Sequence, residues 1–432
     1  MKRLAWDELD KWKLRKNHKP LIVRGVRQCG KTWLMKAFGS TYPACAYFNF
    51  EGNPRLHAVF DLDLNPDRIL RELALLQNKR INLDETLIVF DEIQFCNKAL
   101  TSLKYFRENR SEASIVAAGS LLGIALSKPL SFPVGQVDFL DLCPMTFTEF
   151  LAANGEDLMV ETLAEIKAGE AVPASIHPHL LDLLSTYYFV GGMPEAVASW
   201  VNNHDPDEGA RIQKSILDSY ELDFAKHAPD RSYGKLSAIW HAVPAQLALD
   251  NKKFIFSHVR AGARGRDLEE ALLWLISAGL VYKVPKIEKP GMPLSAYTDD
   301  SFFKLYLCDV GLLRAMADLP LTSIKQKDPF FSEFRGALTE NFVLTELVAQ
   351  QINPVFWKSK QAAEVDFVCR IGQQIVPIEV KADENVRSRS LAVYLDKYSP
   401  SVAVRLSAQN AGIKPPLYSE PLYLASRLTD WF

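Results

Sequence analysis

Several features that mark particular classes of protein are missing from this 432-residue sequence. Its six cysteines are scattered, with no C-x-x-C pair and no histidine at ligand spacing, which argues against a zinc site and a disulfide framework. The formal net charge is only −2, so any nucleic-acid-binding surface must be a local patch. The most apolar stretch, residues 115–126, contains Gly119, Ser120 and Gly123 and is too short to span a bilayer. We therefore expect no membrane partner.

The start of the sequence carries Lys2 and Arg3 with no apolar segment after them, so we expect no secretory signal and a cytoplasmic location. Nearly half of the residues are hydrophobic and about a quarter are charged, as in ordinary globular proteins. The length suggests about two to four domains, each able to bury a core.

Residues 21–39 predict a nucleotide site, because a buried strand, a glycine-rich loop and a helix follow one another there. Leu21, Ile22 and Val23 are typical of a strand buried on both faces. The loop fits G-x-x-x-x-G-K-[ST] at every fixed position, with Gly25, Val26, Arg27, Gln28, Cys29, Gly30, Lys31 and Thr32. Lys31 is expected to reach the β- and γ-phosphates and the Thr32 hydroxyl to bind Mg²⁺. The alternative is a glycine-rich turn with an exposed lysine.

An acidic pair completes the predicted nucleotide site. Asp91 and Glu92 directly follow a buried strand at residues 86–90, on the side where parallel sheets bind ligands. Asp91 is expected to hold the Mg²⁺ shell and Glu92 to polarise the attacking water as a base. Ser120 follows the next apolar run and either positions the water or senses the γ-phosphate, or is a small turn residue. Arg107 and Arg110 are the nearest arginines, with surface solvation as their alternative role.

The middle of the chain is predicted to be helical. Residues 146–228 have helical spacing broken at Gly191, Gly192 and Pro194, which indicates a kink between two helices of a lid. Residues 235–284 suggest three helices and a strand pair, a pattern that resembles a winged helix. Arg260, Arg264 and Arg266 lie beside the candidate recognition helix, so this segment either contacts DNA or is a structural joint.

The C-terminal hundred residues carry a second group of candidate residues in the predicted order α-β-β-β-α-β. Strand alternation places Asp366 beside Glu364, and Lys381 beside Glu379. If these faces converge, Asp366, Glu379 and the Val380 carbonyl offer hard oxygen ligands for Mg²⁺ or Mn²⁺, with Glu340 adding another from a helix. Lys381 could then orient or deprotonate water for attack on a phosphodiester. The alternative is a solvated strand face.

Nearly the whole chain resembles the bacterial and archaeal AAA-type ATPases that carry a winged helix and a C-terminal domain of unknown function with a restriction-endonuclease-like fold. The segments that carry the resemblance are GVRQCGKT, LIVFDEIQ, AAGSLLG, PMTFTEFL, FVGGMPEA, KLYLCDVGLL, GALTENFVLTEL, EVDFV and PIEVK. It implies ATP binding with hydrolysis and a PD-(D/E)xK-type module. The family often has Gly-Arg before PMTFTEFL, whereas this chain has Gly135-Gln136, which implies slow hydrolysis or another assisting residue.

We therefore predict an α/β protein with four parts. They are an AAA-type P-loop ATPase domain on a parallel sheet (residues 1–150), a helical lid (151–230), a winged-helix domain (231–300) and a restriction-endonuclease-like α/β domain (301–432).

The leading functional hypothesis is an enzyme that binds ATP or ADP with Mg²⁺, hydrolyses ATP and couples nucleotide state to a nuclease-like module acting on nucleic acid, with DNA as the candidate partner. Oligomers are compatible with this, because a neighbouring subunit could supply an arginine to the ATP site. The alternative is a nucleotide-dependent switch or scaffold whose nuclease-like domain is catalytically inert and binds a partner. A metabolic P-loop kinase is disfavoured, since nothing after the sheet domain looks like a small-substrate lid.

Overall fold

The computed structural model describes residues 2–119, 135–228, 232–249, 252–325, 332–360, 363–383 and 389–432. The chain divides into two compact units. The nucleotide-loop unit contains Lys2–Cys143 and Ser277–Gly279, and the C-terminal unit contains Pro144–Ile276 and Leu280–Phe432. The four predicted parts remain a prediction, because they divide the chain more finely than these two units.

The nucleotide-loop unit alternates strands with helices, as predicted. Its strands are β1 (Leu21–Arg24), β2 (Ala44–Asn49), β3 (Thr86–Asp91), β4 (Ser114–Gly119) and β5 (Asp138–Asp141). Its helices are α1 (Ala5–Leu14), α2 (Lys31–Gly39), α3 (Pro54–Ala58), α4 (Pro66–Gln77) and α5 (Asn97–Asn109). The strands expected at residues 21–23, 44–50, 86–90 and 114–118 are confirmed.

The five strands form one sheet in the order β2-β3-β4-β1-β5, and every neighbouring pair is parallel. Strand β4 lies between β1 and β3, with Ile22 opposite Ala117 and Val89 opposite Val116. Because parallel strands end at the same edge, the phosphate loop after β1 and the acidic pair after β3 lie on one side of the sheet.

An aromatic cluster fixes the end of β3. Phe90, directly before Asp91, is fully buried, and its ring centroid lies 5.5 Å from that of Phe50 and 6.0 Å from that of Phe60. The ring of Phe48 on β2 also packs against that of Phe90, with a centroid distance of 6.1 Å. Edge-to-face packing of this kind leaves few alternative positions for the strand end. The position of Asp91 is therefore set by the core beneath it.

The first half of the C-terminal unit is helical, as predicted. Its helices are α6 (Phe147–Ala153), α7 (Asp157–Glu165), α8 (His177–Val190), α9 (Pro194–Asn203), α10 (Pro206–His227), α11 (Tyr233–Leu247), α12 (Phe256–Val259) and α13 (Gly265–Ser277). Within the described ranges, every helix is too short or too polar to cross a bilayer.

The predicted kink between α8 and α9 is confirmed, and its glycines are required sterically. Gly191 has a φ of 72°, and a Cβ there would lie 2.3 Å from Oδ1 of Asp309. The Asp309 carboxylate accepts a hydrogen bond from Gly192 N at 2.6 Å and from Leu312 N at 2.9 Å. One buried carboxylate therefore joins this loop to a helix more than a hundred residues later.

The second half of the unit is built on one eight-stranded sheet in the order β12-β13-β11-β10-β9-β8-β6-β7. The strands are β6 (Val281–Ile287), β7 (Thr298–Leu307), β8 (Val355–Lys358), β9 (Glu364–Ile371), β10 (Gln374–Val380), β11 (Ala403–Ser407), β12 (Gly412–Lys414) and β13 (Leu417–Pro421). The accompanying helices are α14 (Val310–Met316), α15 (Leu321–Lys325), α16 (Ser332–Ala349), α17 (Arg389–Tyr398) and α18 (Leu428–Trp431). The predicted α-β-β-β-α-β order corresponds to α16, β8, β9, β10, α17 and β11.

The strand pair predicted after the three helices is present, and it is continuous with this sheet. Strands β6 and β7 pair antiparallel with each other, and β6 also pairs in parallel with β8, with Lys286 opposite Phe356. The predicted boundary at residue 300 lies inside β7. Sequence patterns did not reveal this pairing, because β6 and β8 are far apart along the chain.

Glu346 on α16 provides a test of the packing in the C-terminal unit. Its side chain is 1% exposed, and it accepts a hydrogen bond from Phe147 N at 2.8 Å. Burial, together with the neighbouring charge of Glu149, raises the pKa of Glu346 to about 8.

We expect Glu346→Gln to remove a pH-dependent loss of stability. Because the folded state holds a proton that the unfolded chain releases near pH 4, stability should fall as pH rises from about 4 to 8. Between pH 5 and 8 the wild type should lose on the order of 3 kcal/mol relative to the variant, measured by urea unfolding. Glu161→Gln, at an exposed position of α7, is the matched control and should follow the wild type. Parallel pH profiles for wild type and Glu346→Gln would contradict the assignment.

Candidate functional site

The phosphate loop joins β1 directly to α2. Gly30 precedes the helix with a φ of 95°, and Gln28 also has a positive φ, of 66°. A left-handed residue at this point turns the chain so that successive N–H groups point into the loop. The first turn of α2 begins at Lys31, so its N–H groups and dipole lie beside the loop. The backbone is therefore shaped to receive an anion.

Lys31 is folded back onto this loop. Its side chain is only 5% exposed, and its ammonium group donates to the carbonyl oxygens of Gly25 at 2.8 Å and Val26 at 2.7 Å. The predicted exposed-lysine alternative is thus wrong. Two backbone carbonyls hold the ammonium at the centre of the loop, where phosphate oxygens would be its stronger partners.

Arg3 anchors the loop from outside and was missed in the sequence. It is 4% exposed, donating through Nη1 to the Cys29 carbonyl at 2.9 Å and through Nη2 to the Cys143 carbonyl at 2.6 Å. Cys29 is fully buried, which favours packing over a role as an exposed oxidation-sensitive thiol. Arg3 lies 26 residues before Cys29, so no local pattern could connect them.

The two residues predicted to bind Mg²⁺ are in direct contact. Thr32 Oγ1 donates to Asp91 Oδ2 at 2.8 Å, although the residues are 59 positions apart. Asp91 is 1% exposed. A hydroxyl and a carboxylate at this distance, beside an anion-binding loop, are a donor set suited to a hard divalent cation that keeps several waters. The residues present therefore fit a nucleotide-bound Mg²⁺.

Tyr47 on β2 is a further contributor that the sequence did not reveal. Its hydroxyl donates to the same Oδ2 atom of Asp91 at 2.6 Å. Burial, the hydrogen bond and the charge of Asp91 all raise the pKa of Tyr47 well above its ordinary range, so the phenol remains a donor. Its only sequence signal was strand alternation, which places every second residue on one face.

Glu92 adopts an uncommon backbone conformation for a residue other than glycine, with a φ of 53°. Its N–H donates to Asp91 Oδ1 at 3.0 Å, and its carboxylate accepts from Gln94 Nε2 at 2.5 Å. The strained turn separates the two acids, so Asp91 points toward Thr32 while Glu92 is held by Gln94. Such strain is common at functional sites.

The remaining residues predicted for the nucleotide site lie at different places in the structure. Arg27 and Gln28 lie in the turn between β1 and α2. Ser120 lies outside the described residues, and Gly119 before it ends β4. Arg110 forms a two-point pair with Asp67 at 2.6 and 2.5 Å. Since α5 ends at Asn109, just before β4 begins, Arg110 lies at the opposite edge of the sheet from the phosphate loop.

In the C-terminal unit, the predicted charged residues of β9 and β10 are brought together. Val380 N donates to Asp366 Oδ2 at 2.8 Å, and Lys381 Nζ lies 2.7 Å from Glu379 Oε1. Burial first, and then the charges of Glu340 and Glu379, raise the pKa of Asp366 well above its usual range. Glu379 is only 2% exposed, so at this position the strand face is not solvated.

Glu340 joins this group from α16, but two lysines already contact it. Lys252 forms a short ion pair with its carboxylate, Lys304 Nζ lies 3.7 Å away, and Tyr306 donates to it at 2.9 Å. Although burial opposes the charge, the ammonium groups of Lys252 and Lys304 lower the pKa of Glu340 to about 2. Neither lysine was predicted, since they lie 88 and 36 positions from Glu340 in sequence.

The predicted C-terminal metal site stays a prediction. In the part of the chain that the structure describes, no group of three or more acidic, histidine or cysteine side chains is arranged to hold a metal ion. Mg²⁺ commonly uses only one or two carboxylates with waters, so Asp366 and Glu379 stay the predicted ligands. As it stands, ammonium groups balance the charge of this cluster.

The nucleotide-loop geometry defines a P-loop nucleotide-binding domain, and the family comparison agrees. Residues 17–151 match a family model described as an AAA domain, which supports an ATPase-like P-loop domain in this part of the chain. Two further models, each described as a domain of unknown function, match residues 181–323 (DUF8612) and 335–415 (DUF4143). In the comparison with curated proteins, no sequence matches the chain.

Solved structures show weaker similarity. The Walker-type ATPase PABY2304 of Pyrococcus abyssi is 14% identical, covering 72% of this chain and 94% of that one, with a TM-score of 0.43. Cdc6p from Pyrobaculum aerophilum is 14% identical over 75% and 93% of the two chains, with a TM-score of 0.24. The Aeropyrum pernix ORC1 protein, solved in complex with DNA, is 13% identical over 73% and 91%, with a TM-score of 0.27.

We expect Tyr47→Phe to lower the affinity of the site for Mg²⁺ without removing nucleotide binding itself. The Mg²⁺ concentration at the midpoint of nucleotide binding should therefore rise. Loss of the phenol leaves Asp91 with one fewer orienting donor, and such outer partners typically change metal affinity by about tenfold or more. Titration of Mg²⁺ into the protein with a fluorescent ATP analogue measures the shift. Tyr42→Phe, in the same unit but without a contact to Asp91, serves as the control. An unchanged Mg²⁺ midpoint in Tyr47→Phe would show that Tyr47 only packs.

Proposed function

We propose that this protein binds ATP with Mg²⁺, hydrolyses it, and carries a C-terminal nuclease-like module that acts on nucleic acid. The observation that carries the ATPase part is the contact between Thr32 and Asp91 beside the ammonium of Lys31. It brings a phosphate loop, a hydroxyl ligand and an acidic ligand together at one edge of a parallel sheet.

Each residue then has a separate role. Lys31 exchanges its carbonyl partners for the β- and γ-phosphate oxygens, and Thr32 and Asp91 hold the cation. When bound, Mg²⁺ supplies charge neutralisation at those phosphates. Glu92 orients and polarises the attacking water as a base. Gln94 donates to one oxygen of this carboxylate, which orients the side chain.

We expect two substitutions to separate nucleotide binding from hydrolysis. Lys31→Ala removes the phosphate-binding ammonium and should abolish measurable ATP binding. Glu92→Gln should retain binding but lower the rate of phosphate release by a factor of 10² or more, because the base is lost. Fluorescent nucleotide binding and phosphate release measure the two effects.

Glu51→Gln is the matched control for Glu92→Gln, since Glu51 is an exposed glutamate just after β2. Hydrolysis in Glu92→Gln at the wild-type rate would assign the base to another residue. If the wild type binds ATP but does not hydrolyse it, the result would support a nucleotide-dependent switch.

The nuclease-like part of the proposal is supported by Asp366, Glu379 and Lys381, which lie together where the start of β9 is beside the end of β10. Burial opposes the charge of Lys381, but Glu379 raises its pKa, so the side chain is an ammonium at neutral pH. It is therefore better suited to orient a water or stabilise a phosphodiester than to deprotonate water. A winged-helix role for α11, α12 and α13 with β6 and β7 belongs to the same proposal, and Arg260, Arg264 and Arg266 are all exposed there.

A second candidate function is a switch or scaffold whose C-terminal module binds a partner without cleavage. The ion pairs of Glu340 with Lys252 and Lys304 favour this second function. They occupy a carboxylate that the nuclease hypothesis assigns to a metal. Breaking a buried ion pair is costly, so any cation bound at Glu340 would have to replace that interaction.

A plasmid assay distinguishes the two functions. Supercoiled plasmid is incubated with the full chain and Mg²⁺ or Mn²⁺, with and without ATP. If the module is a nuclease, we expect cleavage that is lost in Lys381→Ala and Asp366→Ala, because each removes a group at the reacting phosphodiester. Lys414→Ala, at an exposed site on β12, should cleave like the wild type. Plasmid that stays intact under every condition would favour the switch.

A further inference from the structure

Outside the carboxylate group, the sheet of the C-terminal unit carries a concentration of positive charge around one aromatic ring. The ammonium groups of Lys253, Lys286 and Lys358 lie 4.1, 4.9 and 5.9 Å from the ring centroid of Phe302. They come from three separate segments: the stretch between α11 and α12, strand β6 and the end of strand β8. We call these four residues the Phe302 lysine cluster.

Nearby acids balance this charge only in part. Lys286 pairs with Asp299 at 3.3 Å, and Lys358 with Glu364 at 2.8 Å. Among the described residues, Lys253 has no carboxylate within ion-pair distance, and its ammonium group lies over the face of Phe302. Each of the three lysines is partly exposed. Like charges gathered at a surface repel one another, and an added anion relieves that repulsion.

The cluster is continuous with the candidate phosphodiester site. Glu364 accepts ion pairs from both Lys358 and Lys304, at 2.8 and 2.6 Å, and Lys304 in turn contacts Glu340. Glu364 and Asp366 are alternate residues on β9, so they lie on one face of the sheet. Strands β8 and β10 are two strand spacings apart, about 10 Å, which corresponds to about three nucleotide rises along one strand.

We propose that the Phe302 lysine cluster binds the phosphodiester backbone of nucleic acid on one side of the cleavage site. The inference rests on the proposed function of the C-terminal module. Ammonium groups act as point charges for phosphates and read no base edges, so recognition at this surface is independent of sequence. The ligand is a strand whose phosphates extend from Lys253 and Lys286 toward Asp366 and Lys381.

The test measures binding in EDTA, where cleavage cannot occur. Fluorescein-labelled 20-nucleotide DNA and RNA strands are titrated with the full chain at several salt concentrations, and affinity is read by anisotropy. Lys253→Gln and Lys286→Gln should each weaken binding several-fold for every sequence tested and lower the slope of log K against log salt by about 1. The double variant should show both losses together. Comparison of DNA with RNA shows which backbone is preferred.

Lys414→Gln is the matched control, since Lys414 is an exposed lysine on β12 at the opposite end of the same sheet. It should retain wild-type affinity and salt slope, and all variants should keep the wild-type melting temperature. Wild-type affinity in the double variant, no binding by the wild type, or equal competition by poly-glutamate would overturn the proposal. The binding assay requires no cleavage, so it separates the two proposals. If the variants lose binding while the wild type leaves plasmid intact, the nuclease proposal is rejected and the binding surface is retained.

Discussion

The hydrogen bond between Thr32 and Asp91 is the interaction on which the nucleotide site depends. It forms only because β4 lies between β1 and β3 in a parallel sheet, which brings the loop after one strand and the acid after the other to the same edge. The aromatic packing around Phe90 fixes the height of Asp91 at that edge. Both the orienting contact of Tyr47 and the separate direction of Glu92 follow from this placement.

The C-terminal unit meets a different constraint, the cost of burying charge. Glu340 and Glu379 are almost completely buried, and unpaired carboxylates there would cost several kcal/mol each. Lysine ammonium groups pair with both carboxylates and offset this cost. Lys252 and Lys304 contact Glu340, and Lys381 contacts Glu379. The same pairing decides the chemistry, because an ammonium that balances a carboxylate also competes with a metal for it.

The two candidate sites also differ in how they are assembled. The nucleotide site is built mainly from two short segments, each with its own recognisable sequence pattern, and the hydrogen bond between Thr32 and Asp91 joins them. The C-terminal group draws on α16, β7, β8, β9 and β10 and on the segment before α12. Its charges are therefore set by packing across the sheet, and a change in any one element alters the others.

The sequence by itself determined the strand, loop and helix of the phosphate site, the acids at the end of β3, the kink at Gly191 and Gly192, and the order of elements from α16 to β11. These features depend on local backbone conformation and on the periodicity of apolar residues, which a short window contains. Only the tertiary structure decided the strand order, the joining of β6 to β8, and the contacts of Arg3, Tyr47 and Lys252. The physical reason is that these depend on hydrogen bonds and ion pairs between distant segments, which no local pattern encodes.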